Sequence, residues 1–304
     1  MGVLKLLSAL FLLSLLRPGL SHVVEKFSSV PQCEDFFLEK TTPNIPDILV
    51  DGNVKGQNRY KPICQTFKNH YRFATLYDTT NRIPVFSAYK FTGDGGSRND
   101  IEKQWKIEPQ LEDINAGKSM SEDVNNIQYE HQARNQDYKN SNIVNRGHLF
   151  PCMHADGNDA KESTFTLTNI VPQVESFNGG SWKLMEENVK NIMKHSCKDD
   201  KKPIEAYVVT GAVPSKDTEE KLVNIPTLMW TAYCCKNPNT KQWHSGAHWG
   251  ENAENAETNC LPVADLHSML TKIYKGNVQV FPQECLKPTE VHFRSTLGSE
   301  HREC

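Results

Sequence analysis

The sequence predicts an α+β fold, and three observations carry that expectation. Phe73 to Phe91 reads as a hairpin, Ile143 to His195 as strand, loop, strand and helix, and strands and helices elsewhere do not alternate strictly. In chain order, Met1 to Ser21 comes first and reads as a signal peptide. Lys5 gives the positive start, Leu6 to Leu16 the apolar run and Gly19-Leu20-Ser21 the small residues at a cleavage site. The apolar run is too short to cross a bilayer, which needs roughly 20 residues. A secreted, extracellular chain without a membrane anchor, beginning near His22, is therefore expected.

Residues 22–54 are expected to form a lead-in with a Pro-rich stretch at Thr42 to Pro46, and 55–304 a single domain, since no linker, charge block or repeat divides them. In the hairpin, Ala74-Thr75-Leu76-Tyr77 and Ile83 to Tyr89 flank the polar turn Thr79-Thr80-Asn81-Arg82. A turn-rich region follows to about Asn142. Ile143 to Phe150 reads as a strand, His154 to Asp159 as a turn cluster, and Thr164 to Val171, alternating Thr with apolar residues, as a half-buried strand. Ser181 to His195 has helical spacing at Trp182, Met185, Val189, Ile192 and Met193. Strands are expected at Ala206 to Val213, Leu228 to Cys234 and Val278 to Phe281, and a helix from Ala264 to Tyr274.

The formal charge is -3, and loss of Lys5 and Arg17 with the leader takes it to -5. Such a chain lacks the broad basic face of a tight, sequence-specific nucleic-acid binder, yet the charge is compatible with an enzyme that touches a few phosphates and releases them. All nine cysteines follow the leader, and in a secreted chain they are expected mostly as disulfides. Adjacent Cys234 and Cys235 are poorly placed to bond each other, so each should reach a distant partner. Cys152 and Cys304 are the candidates for the odd thiol. Cys234, Cys235, His244 and His248 also suggest zinc, but the pair lacks the usual spacer and the compartment favours disulfides.

Phosphodiester hydrolysis needs a base for water, positive charge for the transition state and stabilisation of the leaving oxygen. Arg146 and His148, two apart on a strand, share a face; Gly147 between them permits close backbone approach. The planar fork of Arg146 suits a phosphate. Asn178 precedes the helix, where it also reads as a cap, and Glu186 lies two turns along it. Eight residues span roughly 12 Å of helix, so Asn178 is expected to hold a metal directly and Glu186 to hold a bound water. A single ion with mostly water ligands is what Mg2+ prefers. His154 and His195 read as surface residues. Lys183, Lys190, Lys194, Lys198, Lys201 and Lys202 read as a solvated helix face, with a phosphate-facing patch as the alternative.

Asn145-Arg146-Gly147-His148-Leu149-Phe150-Pro151, Phe165 to Gln173, and Phe177-Asn178-Gly179-Gly180-Ser181-Trp182 with Glu186 resemble the DNA/RNA non-specific endonuclease family. The likeness extends to Ala74-Thr75-Leu76-Tyr77, Ile83 to Tyr89 and Trp230 to Cys235. The resemblance implies a ββα-metal nuclease fold, a mostly antiparallel central sheet flanked by helices. It also implies His148 as general base, Arg146 as transition-state and substrate clamp, Asn178 as Mg2+ ligand with Mn2+ as substitute, and Glu186 as orienter of a metal-bound water. Asn169 matches a polar residue beside the catalytic His. The family motif most often begins with Asp where this chain has Asn145, and a further family Arg upstream of Trp105 could match Arg98 or Lys103. DNA and/or RNA are the implied substrates, with no obligate protein partner evident. A secreted binding protein that keeps the fold without turnover is the alternative.

Overall fold

The computed structural model describes residues 22–93, 101–124, 127–139, 143–198, 203–216 and 222–286. The expected signal peptide, Arg98, Lys201, Lys202 and Cys304 lie outside these residues. The expected hairpin is present as β2 (His70–Asp78) and β3 (Ile83–Phe91), preceded by β1 (Tyr60–Phe67). Asp78 shapes the turn: its carboxylate accepts from the backbone N–H of Thr80 and Asn81 and from both Nε and Nη2 of Arg59. A register shift after Leu76 brings Tyr77 opposite Pro84, which lets a proline sit within the strand.

A second hairpin pairs β4 (Val144–His148) with β5 (Ile170–Val174), and the chain then enters helix at once. Between its strands lies α1 (Asn158–Ser163), and after it α2 (Lys183–Ser196). Strands β6 (Ala206–Val213), β7 (Leu228–Lys236), β8 (Trp243–Glu251) and β9 (Asn259–Leu261) precede α3 (Val263–Tyr274). The large sheet has seven strands in the order β9-β8-β7-β6-β3-β2-β1, each pair antiparallel.

Apolar residues on both faces of this sheet build two cores. On one face Val208, Met229, Tyr233 and Tyr89 meet the second hairpin and Trp182, Met185, Val189 and Met193 of the α2 region. On the other, Val209, Trp230, Ala232 and Phe86 meet α3 through Leu266 and Leu270, together with Phe27 and Phe37. Those last two residues correct the view of 22–54 as a mere lead-in. The segment is core-forming, stapled to β1 by the Cys33–Cys64 disulfide, and His22 bonds the buried carboxyl of Glu108.

Three further expectations change. Thr164 to Asn169 is buried throughout and ends in a 3-10 turn, with the strand starting only at Ile170. Its threonines can be buried because their hydroxyls bond internally: Thr164 donates to Lys161 O, and Thr168 accepts from Gln65. Val278 to Phe281 contributes only an isolated bridge between Gln279 and Asn44. Helix begins before Ser181, since Glu175–Phe177 is helical and leads through Asn178–Trp182, kinked at Gly180, into α2. Asn178 is thus inside the helical segment and is no N-cap.

Cys234 and Cys235 each reach a distant partner, Cys285 and Cys197 respectively. Both thiols are therefore committed to disulfides, which excludes them as zinc ligands. Cys260 is also disulfide-bonded, and Cys152 is buried. Among the described residues no helix is long and apolar enough to cross a membrane.

Candidate active site

The β4–β5 ladder places Arg146 opposite Pro172 and His148 opposite Ile170, so both side chains leave the same face of the hairpin. Aromatic rings hold them. Trp105 packs against the imidazole of His148 with ring centroids 5.8 Å apart, and Phe165 meets the same imidazole edge-on at 5.1 Å. The Arg146 guanidinium lies 5.2 Å from the Trp105 ring and 5.5 Å from Tyr138, and its Nη2 donates to Asn135 O at 2.9 Å. Trp105 therefore touches both candidate catalytic side chains, a joint role that sequence spacing alone did not reveal. Burial lowers the guanidinium pKa from its ordinary value, against an opposing influence from Tyr138. Lys103, one candidate for the further family Arg, is exposed.

Gly147 is required by close approach. A Cβ there would fall 2.2 Å from Oε1 and 2.6 Å from Cβ of Gln173, a fully buried residue of β5. The hairpin strands can pair this tightly only because position 147 has no side chain.

Asn169 is fully buried, and its amide is used at both ends. Oδ1 accepts from Phe150 N and Ser87 Oγ, each at 2.9 Å, while Nδ2 donates to Phe150 O and Thr164 O. It lies behind the hairpin as the knot that fixes the chain after His148. With four partners it has no capacity left to meet a substrate.

Asn178 is half-buried in the π turn at the head of the helix, and among the described residues no hydrogen bond engages its side-chain amide. Glu186 lies farther along, where the helix runs back beside the chain that follows His148. It lines a cleft with Leu149, Pro151, His154 and Tyr89. The Tyr89 hydroxyl is held well above the ordinary tyrosine range, by burial first and by the Glu186 carboxylate second, so that charge is within electrostatic reach of the sheet.

His154 corrects a sequence expectation: it is buried, at 2 % exposure. Its Nε2 faces Glu186 O at 2.9 Å, and because a carbonyl only accepts, Nε2 carries the proton. Nδ1 is then the acceptor for Tyr89 OH at 2.8 Å. Burial pushes its pKa down to about 4, so the ring is neutral at physiological pH. The expected surface position of His195 does hold, as do those of Lys183, Lys194 and Lys198.

Among the described residues no group of three or more His, Cys, Asp or Glu gathers to hold a metal. Asn178 offers an amide oxygen at the helix head and Glu186 a carboxylate two turns farther on. That set suits a hard cation that keeps most of its waters, as Mg2+ does, and not a thiolate- or imidazole-bound ion.

The model of the DNA/RNA non-specific endonuclease family matches residues 55–276. The human endonuclease domain-containing 1 protein is 30% identical over 290 residues, covering 92% of this chain and 52% of that protein. Its mouse counterpart is 33% identical over 219 residues, covering 68% of this chain and 39% of that one. The chain thus spans about half the length of the human relative and less of the mouse one. Among solved structures, a chain of the EndoG/EndoGI complex aligns with a TM-score of 0.49 at 18% identity, covering 68% of this chain and 84% of that chain.

Proposed function

We propose that this chain, which belongs to the DNA/RNA non-specific endonuclease family by the match over residues 55–276, is a secreted, Mg2+-assisted endonuclease of low sequence specificity with nucleic acid as its substrate. The observation that carries the proposal is the placing of Arg146 and His148 on one face of a hairpin, with a shared Trp105 contact. That arrangement supports reading His148 as base and Arg146 as clamp.

In this reading the imidazole of His148 accepts the proton of the attacking water. Phe165 and Trp105 restrict the ring to one orientation, so little rotamer freedom is lost when substrate arrives. Arg146 pairs with non-bridging phosphate oxygens, and its partial burial strengthens that attraction as charge develops. Asn178 and, through water, Glu186 would hold Mg2+, with Mn2+ as substitute. The ion would supply charge neutralisation on the phosphate and the leaving oxygen. Asn169 positions His148 by bonding both backbone groups of Phe150. The described disulfides support an oxidising compartment and thus secretion, with residues 1–21 as the leader.

Digestion of supercoiled plasmid and of a structured RNA by residues 22–304, with Mg2+ or with EDTA, tests this proposal. Metal-dependent cleavage lost in His148→Ala, with unchanged thermal unfolding, is the expected result. No cleavage of either polymer by correctly oxidised protein would favour a binding protein that has kept the fold.

A further inference from the structure

The sheet face beneath α2 carries a row of hydroxyls that the nuclease reading leaves unexplained. Thr75, Ser87, Thr210 and Thr231 stand opposite one another on β2, β3, β6 and β7, and all four are buried. Buried hydroxyls cost stability unless they are bonded, and these are: Thr75 with Ser87 at 3.1 Å, and Thr210 with Thr231 at 2.8 Å. Two branches run from this face of the sheet toward the candidate site. Ser87 donates to Asn169 and so supports the chain after His148. The second starts at Tyr89, two residues from Ser87 on β3: Tyr89 bonds Nδ1 of His154, and Nε2 of His154 bonds the backbone carbonyl of Glu186.

The acceptor at the end of the second branch fixes the direction of the bonds behind it. Glu186 O can only accept, so His154 donates through Nε2 and receives through Nδ1, and Tyr89 must donate. His154 follows His148 by six residues yet is bonded to the middle of the segment bearing Asn178 and Glu186. It thereby ties the candidate base and the candidate metal-holding helix to one rigid sheet.

We infer that His154 is a positioning residue that sets Glu186 against the sheet, and with it the separation between His148 and the metal-holding segment. This role rests on the proposed function of Glu186. The ring does not meet substrate; it acts through the Glu186 carbonyl.

The test uses residues 22–304 as wild type, His154→Gln, His154→Phe and Tyr89→Phe. Three readouts are taken: Mn2+ affinity by calorimetry, the Mg2+ dependence of plasmid cleavage, and amide exchange across Lys183 to Lys190. In His154→Phe, which keeps the ring volume, metal affinity should weaken about fivefold to tenfold. Exchange should accelerate about tenfold, while turnover at saturating Mg2+ falls less than about threefold. His154→Gln keeps a donor for the carbonyl and should restore most of both. Tyr89→Phe removes one hydroxyl and should fall between, which keeps the test decisive if His154→Phe fails to fold. Wild-type metal affinity and exchange in His154→Phe would overturn the inference, as would a His154→Gln protein no better than His154→Phe. If the wild type neither binds Mn2+ nor cleaves, the nuclease reading fails, and the exchange comparison alone decides whether the tether exists.

Discussion

Replacing Gly147 by alanine should damage stability and turnover together, for one steric reason. The new Cβ would lie 2.2 Å from Oε1, 2.6 Å from Cβ and 3.0 Å from Cδ of Gln173. Gln173 is fully buried on β5 and cannot swing into solvent, so the hairpin must open. Restoring an ordinary contact of roughly 3.4 Å takes about 1.2 Å of movement. Overpacking of this kind costs about 1–3 kcal/mol, and here the upper end is expected because two contacts are short at once. The residue displaced with Gly147 is its neighbour His148, and a shift of about 1 Å in a reacting group costs on the order of 100-fold in rate. Denaturant unfolding and plasmid cleavage by the folded fraction measure the two effects separately. Adding Gln173→Ala should recover only part of the stability, since it removes the Oε1 and Cδ contacts but leaves the Cβ at 2.6 Å. Stability within about 0.5 kcal/mol of wild type and turnover within about twofold would refute the reasoning.

Three other outcomes follow from the same geometry. Asn178→Ala should raise the Mg2+ concentration for half-maximal cleavage by at least about tenfold, read from a metal titration; an unshifted curve would remove Asn178 from the metal site. Trp105→Ala should lower kcat/KM by about tenfold while Trp105→Phe keeps most of it, because the ring orients His148 and Arg146 together; equal losses in both would mean that only indole serves. Acid should destabilise the fold, because His154, His248 and His267 titrate near 4 when buried against 6.5 for an ordinary histidine. Between those values the unfolded chain binds more protons, so stability is full above about pH 6.5 and falls as pH drops toward 4. The slope should reach about 4 kcal/mol per pH unit for the three, and His154→Gln should lower it by about a third in pH-dependent unfolding.

Much of the candidate site was legible because its spacing is local. Arg146 and His148 share a face by the two-residue period of a strand, and the hairpin at Phe73 to Phe91 announces itself by alternation and a polar turn. Legibility ended where partners come from distant parts of the chain. Thr164 to Asn169 has the pattern of a half-exposed strand, yet its hydroxyls find acceptors indoors and every residue is buried. His154 opens a polar turn cluster in sequence, and the contacts that bury it come from β3 and α2, far along the chain. The strands β1 and β8 went unrecognised because Lys, His, Gln and Gly interrupt their apolar period, although pairing with neighbours is what makes them strands. Asn178 looked like a cap because Gly179-Gly180 suggests a break; the chain does kink at Gly180, but Asn178 already has helical dihedrals before it.

The two adjacent cysteines of β7 make oxidation sensitive to which way up that strand lies. Consecutive strand residues point to opposite faces, so Cys235 closes on Cys197 below α2 while Cys234 closes on Cys285 among the residues packed with α3. Exchanging the two partners would require β7 to roll over, which would carry Trp230 and Ala232 into the place of Met229 and Tyr233. A swapped isomer would therefore forfeit both cores at once and leave its sulfurs open to renewed exchange. The native pair of bonds is thus an orientation mark as well as a staple, and thiol reshuffling during maturation can proofread the sheet through a single dipeptide.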